Sequence, residues 1–331
     1  MTARPGGAER PPLTRLSTMS PWTAADIPDQ SGRTVLVTGA NSGLGLRTAE
    51  ALAAGGAHVL MGCRDAAKGE AGRSQVAAIA TGPAPQVVAL DLADLGSVRD
   101  AAQLVAGTVD RLDVLVNNAG VMGLPLHRTV DGFELQFATN HLGHFALTGL
   151  LLPILSRTTA ARVVTVSSNM HRVGRNDWSD PNWEHRRYLR WQAYGQSKLA
   201  NLLFTRELAR RAAAAGSSLV AVAAHPGHAS THLVPTSTEA SRLGVVGRVV
   251  DAGNRLVAQS DSAGALPQLY AATMPDVFPG EYFGPDRFFQ LRGHPTRVGS
   301  SAAARDDEAG RRLWELSEDL TGVTYAWAAL V

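Results

Sequence analysis

The chain has 331 residues, 45% of them hydrophobic and 18% charged, with a formal net charge of +2. That is enough chain for a large buried core, and the mix is that of a globular protein rather than a disordered or fibrous one. The near-zero charge, with no basic run among aromatics, argues against a nucleic-acid partner, no run of about twenty apolar residues is present to span a bilayer, and Cys63, alone, excludes a disulfide framework and a Cys-rich metal site.

Residues 1–30 are rich in Pro, Gly, Thr, Arg and Ala and lack the apolar core of a signal peptide. They are expected to form a disordered N-terminal extension of a cytoplasmic protein, with Met19 as an alternative start to Met1. From Arg33 onward, short apolar runs alternate with helical patterns. Residues 34–37 lead into the turn Thr38-Gly39-Ala40-Asn41-Ser42-Gly43-Leu44-Gly45 and a helix to about Ala54. Glycines here permit a tight turn and close approach of backbone to a pyrophosphate, and the helix N-terminus behind them offers N–H donors and a positive dipole. Gly39, Asn41, Ser42, Gly43, Leu44 and Gly45 are therefore assigned to a dinucleotide.

The next run, 58–61, ends in Met61-Gly62-Cys63-Arg64-Asp65. An NAD site usually puts an acid at this strand tip to hold the ribose 2′-OH. Arg64, with Lys68 nearby, suits a 2′-phosphate instead, so NADP(H) is favoured over NAD(H). Asp65 either caps the following helix or reaches the ribose. Further runs at 86–90, 112–116, 162–166 and 219–223 are separated by helical patterns at 95–106, at 132–155 and around Tyr194. None of these runs alternates polar with apolar residues, which marks strands buried on both faces of a parallel sheet. Strand and helix repeated in this way predict an α/β fold with a doubly wound parallel sheet, helices on both faces and no internal domain boundary.

The segment 170–192 carries Trp178, Trp183 and Trp191, half of the six tryptophans. It reads either as a surface loop with its own aromatic anchor or as a wall of the substrate pocket. After it comes Ala193-Tyr194-Gly195-Gln196-Ser197-Lys198. Of 31 basic residues only Lys68 and Lys198 are lysines, and a chance Tyr-x-x-x-Lys is expected about 0.03 times in such a chain. At i and i+4 the two side chains share a helix face. A compact ammonium beside the phenol is expected to draw the phenol's pKa down toward a useful general acid/base. Residues 231–260 are a candidate lid, in which Leu243, Val246, Val249 and Val250 form an apolar stripe, and 307–320 a C-terminal helix. His141 and His144 share a helix face, and His225 and His228 flank a Pro-Gly turn. Neither pair has a carboxylate nearby, so no metal site is expected.

In chain order, Thr-Gly-x-x-x-Gly-x-Gly, Asn117-Asn118-Ala119-Gly120, Asn140-His141-Leu142-Gly143-His144-Phe145, Val166-Ser167-Ser168, Tyr194-x-x-x-Lys198 and His225-Pro226-Gly227 resemble the short-chain dehydrogenase/reductase family over residues 31–282. Cys63-Arg64-Asp65 and Tyr194-Gly-Gln-Ser-Lys-Leu-Ala-Asn are similar to its retinol dehydrogenase-like and WW-domain oxidoreductase-like branch. The resemblance implies a single Rossmann-type domain over 31–331 that interconverts a carbonyl and an alcohol on a small apolar substrate. It implies Tyr194 as proton donor or acceptor, Lys198 as the group that tunes Tyr194 and holds the nicotinamide ribose, and Ser168 as the hydroxyl that polarises the carbonyl. Asn140 would hold a water that links Lys198 to solvent. Asp91 and Leu92 would flank the adenine; Asn118, Ala119 and Gly120 the ribose; Pro226, Gly227 and Thr231 the nicotinamide end. Asn117 would tie the sheet together. Subunits could pair through the Tyr194 helix into a homo-oligomer. Ser168 and Tyr194 stand 26 residues apart, about double the usual separation in short members. A carbon–carbon double-bond reductase of protochlorophyllide-reductase type shares much of the pattern, though those enzymes carry several cysteines. A non-catalytic NADP(H) sensor is the alternative of another class, though such proteins commonly lack the Tyr or the Lys.

Overall fold

The computed structural model describes residues 21–228 and 259–327. One sheet has the strand order β3-β2-β1-β4-β5-β6-β7-β8. The strands are β1 (Thr34–Thr38), β2 (His58–Cys63), β3 (Gln86–Ala89), β4 (Val114–Asn117), β5 (Arg162–Val166), β6 (Val220–Ala224), β7 (Tyr282–Arg287) and β8 (Arg292–Arg297). β1 to β7 are parallel, and β8 turns back antiparallel on β7. The helices are α1 (Gly43–Ala54), α2 (Ala66–Ala77), α3 (Leu95–Thr108), α4 (Leu135–Phe137), α5 (Gly143–Leu155), α6 (Arg190–Ala214), α7 (Asp261–Thr273) and α8 (Asp307–Thr321). Among the described residues no helix is long and apolar enough to cross a membrane.

The pleat explains the unbroken apolar runs. Val35 and Val37 of β1 join the core of α1 and α7, while Leu36 between them joins that of α3 and α5; all three are fully buried. Successive side chains point to opposite faces, and both faces are covered by helices, so the interior positions of the central strands are apolar. Each such side chain contributes roughly 1.5–3 kcal/mol by leaving water. From β1 the chain winds outward to β2 and β3, then crosses back to β4 on the other side. The carboxyl ends of β1 and β4 thus flank the crevice where open α/β sheets bind ligands.

Several elements depart from the sequence reading. The hairpin β7–β8 was not anticipated, because Gly284, Pro285 and Pro295 break any strand pattern. Proline lacks the N–H a ladder needs and is tolerated only at a sheet edge, which is where this hairpin lies. The long helix begins at Leu135, not 132, where Glu134 caps it by accepting from the N–H groups of Gln136 and Phe137. Between α4 and α5 it widens into a π-turn, Ala138–Leu142. Residues 21–30, expected to be part of a disordered extension, pack against the domain. Trp22 meets Tyr270 edge-on at 5.2 Å, and Gln30 is buried with its N–H on the Gly55 carbonyl at 2.8 Å. Residues 1–20 lie outside the described residues, as do 231–258 of the expected lid.

The C-terminal helix has a structural role. Trp314 of α8 is buried against Phe145 of α5 (5.0 Å), Phe204 of α6 (5.9 Å) and Tyr325 (4.4 Å). His141 bonds Ser317 at 2.9 Å. α8 therefore covers one side of α5 and of α6, the helix through which subunit pairing was expected.

Candidate active site

Backbone shapes the first part of the site. Gly39 adopts φ +66°, and a Cβ there would stand 3.0 Å from Ala119 Cβ. A Cβ on Gly45, in the first turn of α1, would collide with the Gly39 carbonyl. Only glycine at these positions lets the loop close on the helix N-terminus, where N–H donors and the positive dipole suit a phosphate. Thr38 ties β1 to β4: its Oγ1 accepts from the N–H groups of Asn118 and Ala119, both at 2.9 Å, and Asn118 Nδ2 donates to Thr38 O at 2.8 Å.

A groove of about 550 Å³ runs along these strand ends, from Arg64 and Lys68 past the glycine loop to Gly120 and Val121. Every expected contact from Gly39 to Gly120 lines it: Gly39, Asn41 to Gly45, Arg64, Lys68, Asp91, Leu92, Asn118, Ala119 and Gly120. Asp65, left open between two roles, also lines it, as do Gly62, Leu90, Val121 and Thr139, which the reading did not assign because no motif marks them. Of the two roles left open for Asp65, the structure shows the cap. Its carboxylate accepts from the Lys68 N–H at 3.0 Å and lies 3.6 Å from Lys68 Nζ. Those bonds hold its carboxyl below the usual range, the backbone N–H of Lys68 contributing most. Arg64 is exposed at the groove rim with no ion pair or hydrogen bond among the described residues.

Buried side chains build the other end. Tyr194 and Lys198 lie on α6 with the Lys198 Nζ 5.8 Å from the phenol ring centre. The ammonium donates to Val166 O at the end of β5 at 3.0 Å, and Asn201 Nδ2 donates to the same oxygen at 3.0 Å. Gly120 makes room for this: a Cβ there would sit 3.3 Å from Nζ and 3.0 Å from Asn140 Oδ1. Burial pulls the Lys198 ammonium down to about 8. Burial also pushes the Tyr194 phenol up to about 12, opposed by its hydrogen bond with Ser168. The lowering expected from the lysine is thus corrected: desolvation outweighs it, and the ammonium directs its hydrogen bond to Val166 rather than to the phenol.

The two serines after β5 separate clearly. Ser167 is buried, and its hydroxyl donates to Lys198 O at 2.8 Å. Ser168 accepts from Met170 N–H at 3.2 Å and bonds Tyr194. Asn140, in the π-turn, clamps its neighbours: Oδ1 accepts from Val121 N at 2.8 Å, and Nδ2 donates to Val121 O and Ser197 Oγ, both at 2.9 Å. Such turns recur at functional sites because they re-aim one residue of a helix. His144 carries the connection onward. Its Nδ1 donates to Asn140 O at 3.1 Å, since a carbonyl only accepts; its Nε2, at 2.9 Å, therefore accepts from the Thr38 hydroxyl. His141 and His144 are thus structural, and burial pulls both down to about 3. Asn117 bonds Thr148 of α5 at 3.0 Å. Among the described residues no group of three His, Cys, Asp or Glu side chains is placed to hold a metal.

Pro226 and Gly227 do not line the groove as described. Gly227 has φ +71° and is gripped by the β7–β8 hairpin, where a Cβ would collide with Leu291 O. The Pro226 carbonyl accepts from Gln259 Nε2. Thr231 lies outside the described residues. The 170–192 segment divides between its two readings. Trp183 is buried beneath Arg186 (3.9 Å) and against Tyr188 (5.5 Å), and Trp178 stacks on Phe137, so these two are anchors. Trp191 is 47% exposed, covers Gly123, and with Pro125, Leu126, Tyr188 and Leu189 walls a shallow hollow of about 570 Å³.

Fold and site together define an NAD(P)-dependent oxidoreductase acting on CH–OH and C=O groups. The short chain dehydrogenase family model matches residues 33–242, and the chain belongs to that family. It is similar to retinol dehydrogenases. Human retinol dehydrogenase 13 is 39% identical over 299 residues, covering 88% of this chain and 85% of that protein. Human retinol dehydrogenase 14 is 40% identical over 311 residues, covering 88% and 87%. The crystal structure of an uncharacterized protein from Mycobacterium paratuberculosis superposes with a TM-score of 0.77 at 46% identity, covering 93% of this chain and all of that one. Pseudomonas aeruginosa RhlG in complex with NADP gives 0.60 at 25% identity, covering 76% and 94%.

Proposed function

We propose that the chain is an NADP(H)-dependent oxidoreductase that interconverts a carbonyl and an alcohol on an apolar substrate. The observation that carries this is a groove that runs from an unpaired Arg64 to Gly120 and Val121, with Lys198 buried directly behind Gly120, where a Cβ would stand 3.3 Å from Nζ, and Tyr194 beside Lys198. The glycine cradle fits a dinucleotide, because its close approaches leave no room for a Cβ yet keep the α1 N-terminus open. When bound, the nicotinamide supplies or accepts the hydride.

The protein's own groups handle the proton and the charge. As hydride reaches a carbonyl carbon, negative charge grows on its oxygen. Tyr194, a neutral phenol well above pH 7, gives that oxygen a proton, and the Ser168 hydroxyl steadies it from the side. Lys198 places positive charge next to the tyrosinate left behind, and would hold the ribose of a bound cofactor. Asn140 clamps Val121 and Ser197 around the ammonium and, through a bridging water, leads the replacement proton inward from solvent. In alcohol oxidation the same steps run in reverse.

The cofactor preference is supported by Arg64, a fork-shaped donor suited to a phosphate, and by Asp65, whose carboxylate is engaged as a cap. The apolar substrate is supported by the hollow under Trp191. Trp191 stands one helical turn before Tyr194, and the glycine it covers, Gly123, lies three residues beyond Gly120. The similarity to retinol dehydrogenases points the same way. Fluorescence titration with NADPH and NADH, then turnover of aldehydes, ketones and alcohols of increasing chain length, tests the reading. Tighter NADPH binding and faster turnover of longer apolar substrates are expected. Tight binding with no turnover of any would overturn it.

A further inference from the structure

The loop after β5 holds a buried imidazole that no step above uses. His171 is fully buried. Its Nδ1 lies 2.7 Å from the Ser168 carbonyl oxygen, to which its own backbone N–H also donates at 3.0 Å. On the far side of the ring, Nε2 lies 3.1 Å from the backbone N–H of Ser301. An N–H only donates and a carbonyl only accepts, so the two neighbours assign the tautomer. Nε2 accepts from Ser301, and the ring proton sits on Nδ1, donating to Ser168 O. Tyr282 holds the ring edge-on, with centres 5.9 Å apart at 83°. Burial favours the neutral imidazole this arrangement needs.

Ser168 is where orientation matters. Its backbone is extended (φ −156°, ψ 157°) and caps the short 3-10 turn Asn169–Val173. Its Oγ accepts from Met170 N–H, which leaves the hydroxyl proton free to point at Tyr194. The Ser168 carbonyl fixes the peptide that carries this cap. The segment after β8 is fastened to the same loop twice more, by Arg172 Nη2 on Gly299 O at 3.2 Å and Asn176 Nδ2 on Ala303 O at 2.9 Å.

We propose that His171 is a positioning residue for Ser168: it locks the Ser168 carbonyl and anchors that lock, through Ser301, on the chain segment after β8. The proposal rests on the reading of Ser168 as the hydroxyl that orients the carbonyl. A hydroxyl held in line is worth far more than one free to swing, and a misplacement of about 1 Å can cost about 100-fold in rate.

A double-mutant cycle separates this from a packing role. His171→Leu is expected to lower kcat about 10- to 100-fold while the NADPH Kd stays within about twofold. In a Ser168→Ala background the same change is expected to lower kcat by less than about twofold, because what it positions is gone. His171→Asn, whose amide N–H reaches the Nδ1 position, should restore most of the rate. His171→Gln, whose amide falls nearer Nε2, should not. If the Leu variant does not fold, the Asn and Gln pair decides. A His171→Leu loss that persists in full without the Ser168 hydroxyl would overturn the proposal. So would Asn and Gln variants whose rates follow their Tm rather than their donor position. Unchanged turnover in Ser168→Ala alone would overturn the reading of Ser168, and this proposal with it.

Discussion

At its Arg64 end the groove is made of backbone and solvent-facing side chains. Gly39 and Gly45 shape it by what they lack, and Arg64 and Lys68 stand at its rim exposed. Behind its Gly120 end lie buried polar side chains beside Tyr194, each bonded to an element distant in sequence: Lys198 to Val166, Asn140 to Val121 and Ser197, Ser167 to Lys198. The contrast follows from the two tasks. Holding a phosphate needs donors and space, which a turn and a helix N-terminus supply locally. Moving a proton needs groups whose pKa values are displaced, which takes burial, and every buried polar atom then needs a partner. On the proposed reading the Tyr194 end should accordingly be the less tolerant of change, and part of its architecture should oppose stability.

Tyr194→Phe should break the symmetry of the two ends most sharply. Turnover is expected to fall about 1,000-fold with the NADPH Kd within about twofold by fluorescence titration. Parallel loss of affinity and turnover would mean the two ends are one unit. It would also favour a role other than catalysis for the chain.

Lys198→Met tests the cost of burial. Turnover at pH 7 should drop about 100-fold, yet Tm should rise about 2–4 °C, since a buried ammonium is replaced by an apolar chain and Val166 O keeps its bond to Asn201. The sign follows from the depressed pKa. Between the folded value of about 8 and the ordinary 10.5, the unfolded chain holds a proton that the folded chain has released. Wild-type stability should therefore rise with pH through that window, and the variant should lack that rise. A variant less stable than wild type at pH 7, by denaturant titration, would contradict this.

Arg64→Ala addresses the other end. Loss of a charged phosphate contact should weaken NADPH binding about 10- to 100-fold and NADH binding less than about twofold. Equal loss for both cofactors would remove Arg64 from the 2′-phosphate.

Trp191→Ala should have the smallest effect. It should raise KM for long apolar aldehydes about tenfold and leave short ones near wild type. A uniform change across chain lengths would mean the indole merely packs on Gly123.

Much of the shape of the Arg64 end was legible in the sequence, because its signals are local. A Gly-rich turn between a buried strand and a helix reports its own geometry, and Tyr194 and Lys198 share a face by spacing alone. The six strands from β1 to β6 showed as apolar runs because both faces of the sheet are covered. What the sequence did not reveal depends on neighbours far along the chain. Asp65 allowed two roles until its position at the start of α2 settled it as a cap. β7 and β8 gave no strand signal, since only a place at the sheet edge tolerates their prolines. The spacing of Tyr194 and Lys198 predicted a lowered phenol, but the direction of the shift is set by burial, which only the closed fold supplies. His171 offered no motif at all; it became informative only when Ser301, 130 residues later, closed on its Nε2. Local periodicity therefore determined the frame and the shared helix face of Tyr194 and Lys198, while tertiary packing decided charge state and orientation, because desolvation and long-range hydrogen bonds exist only once the chain has closed around them.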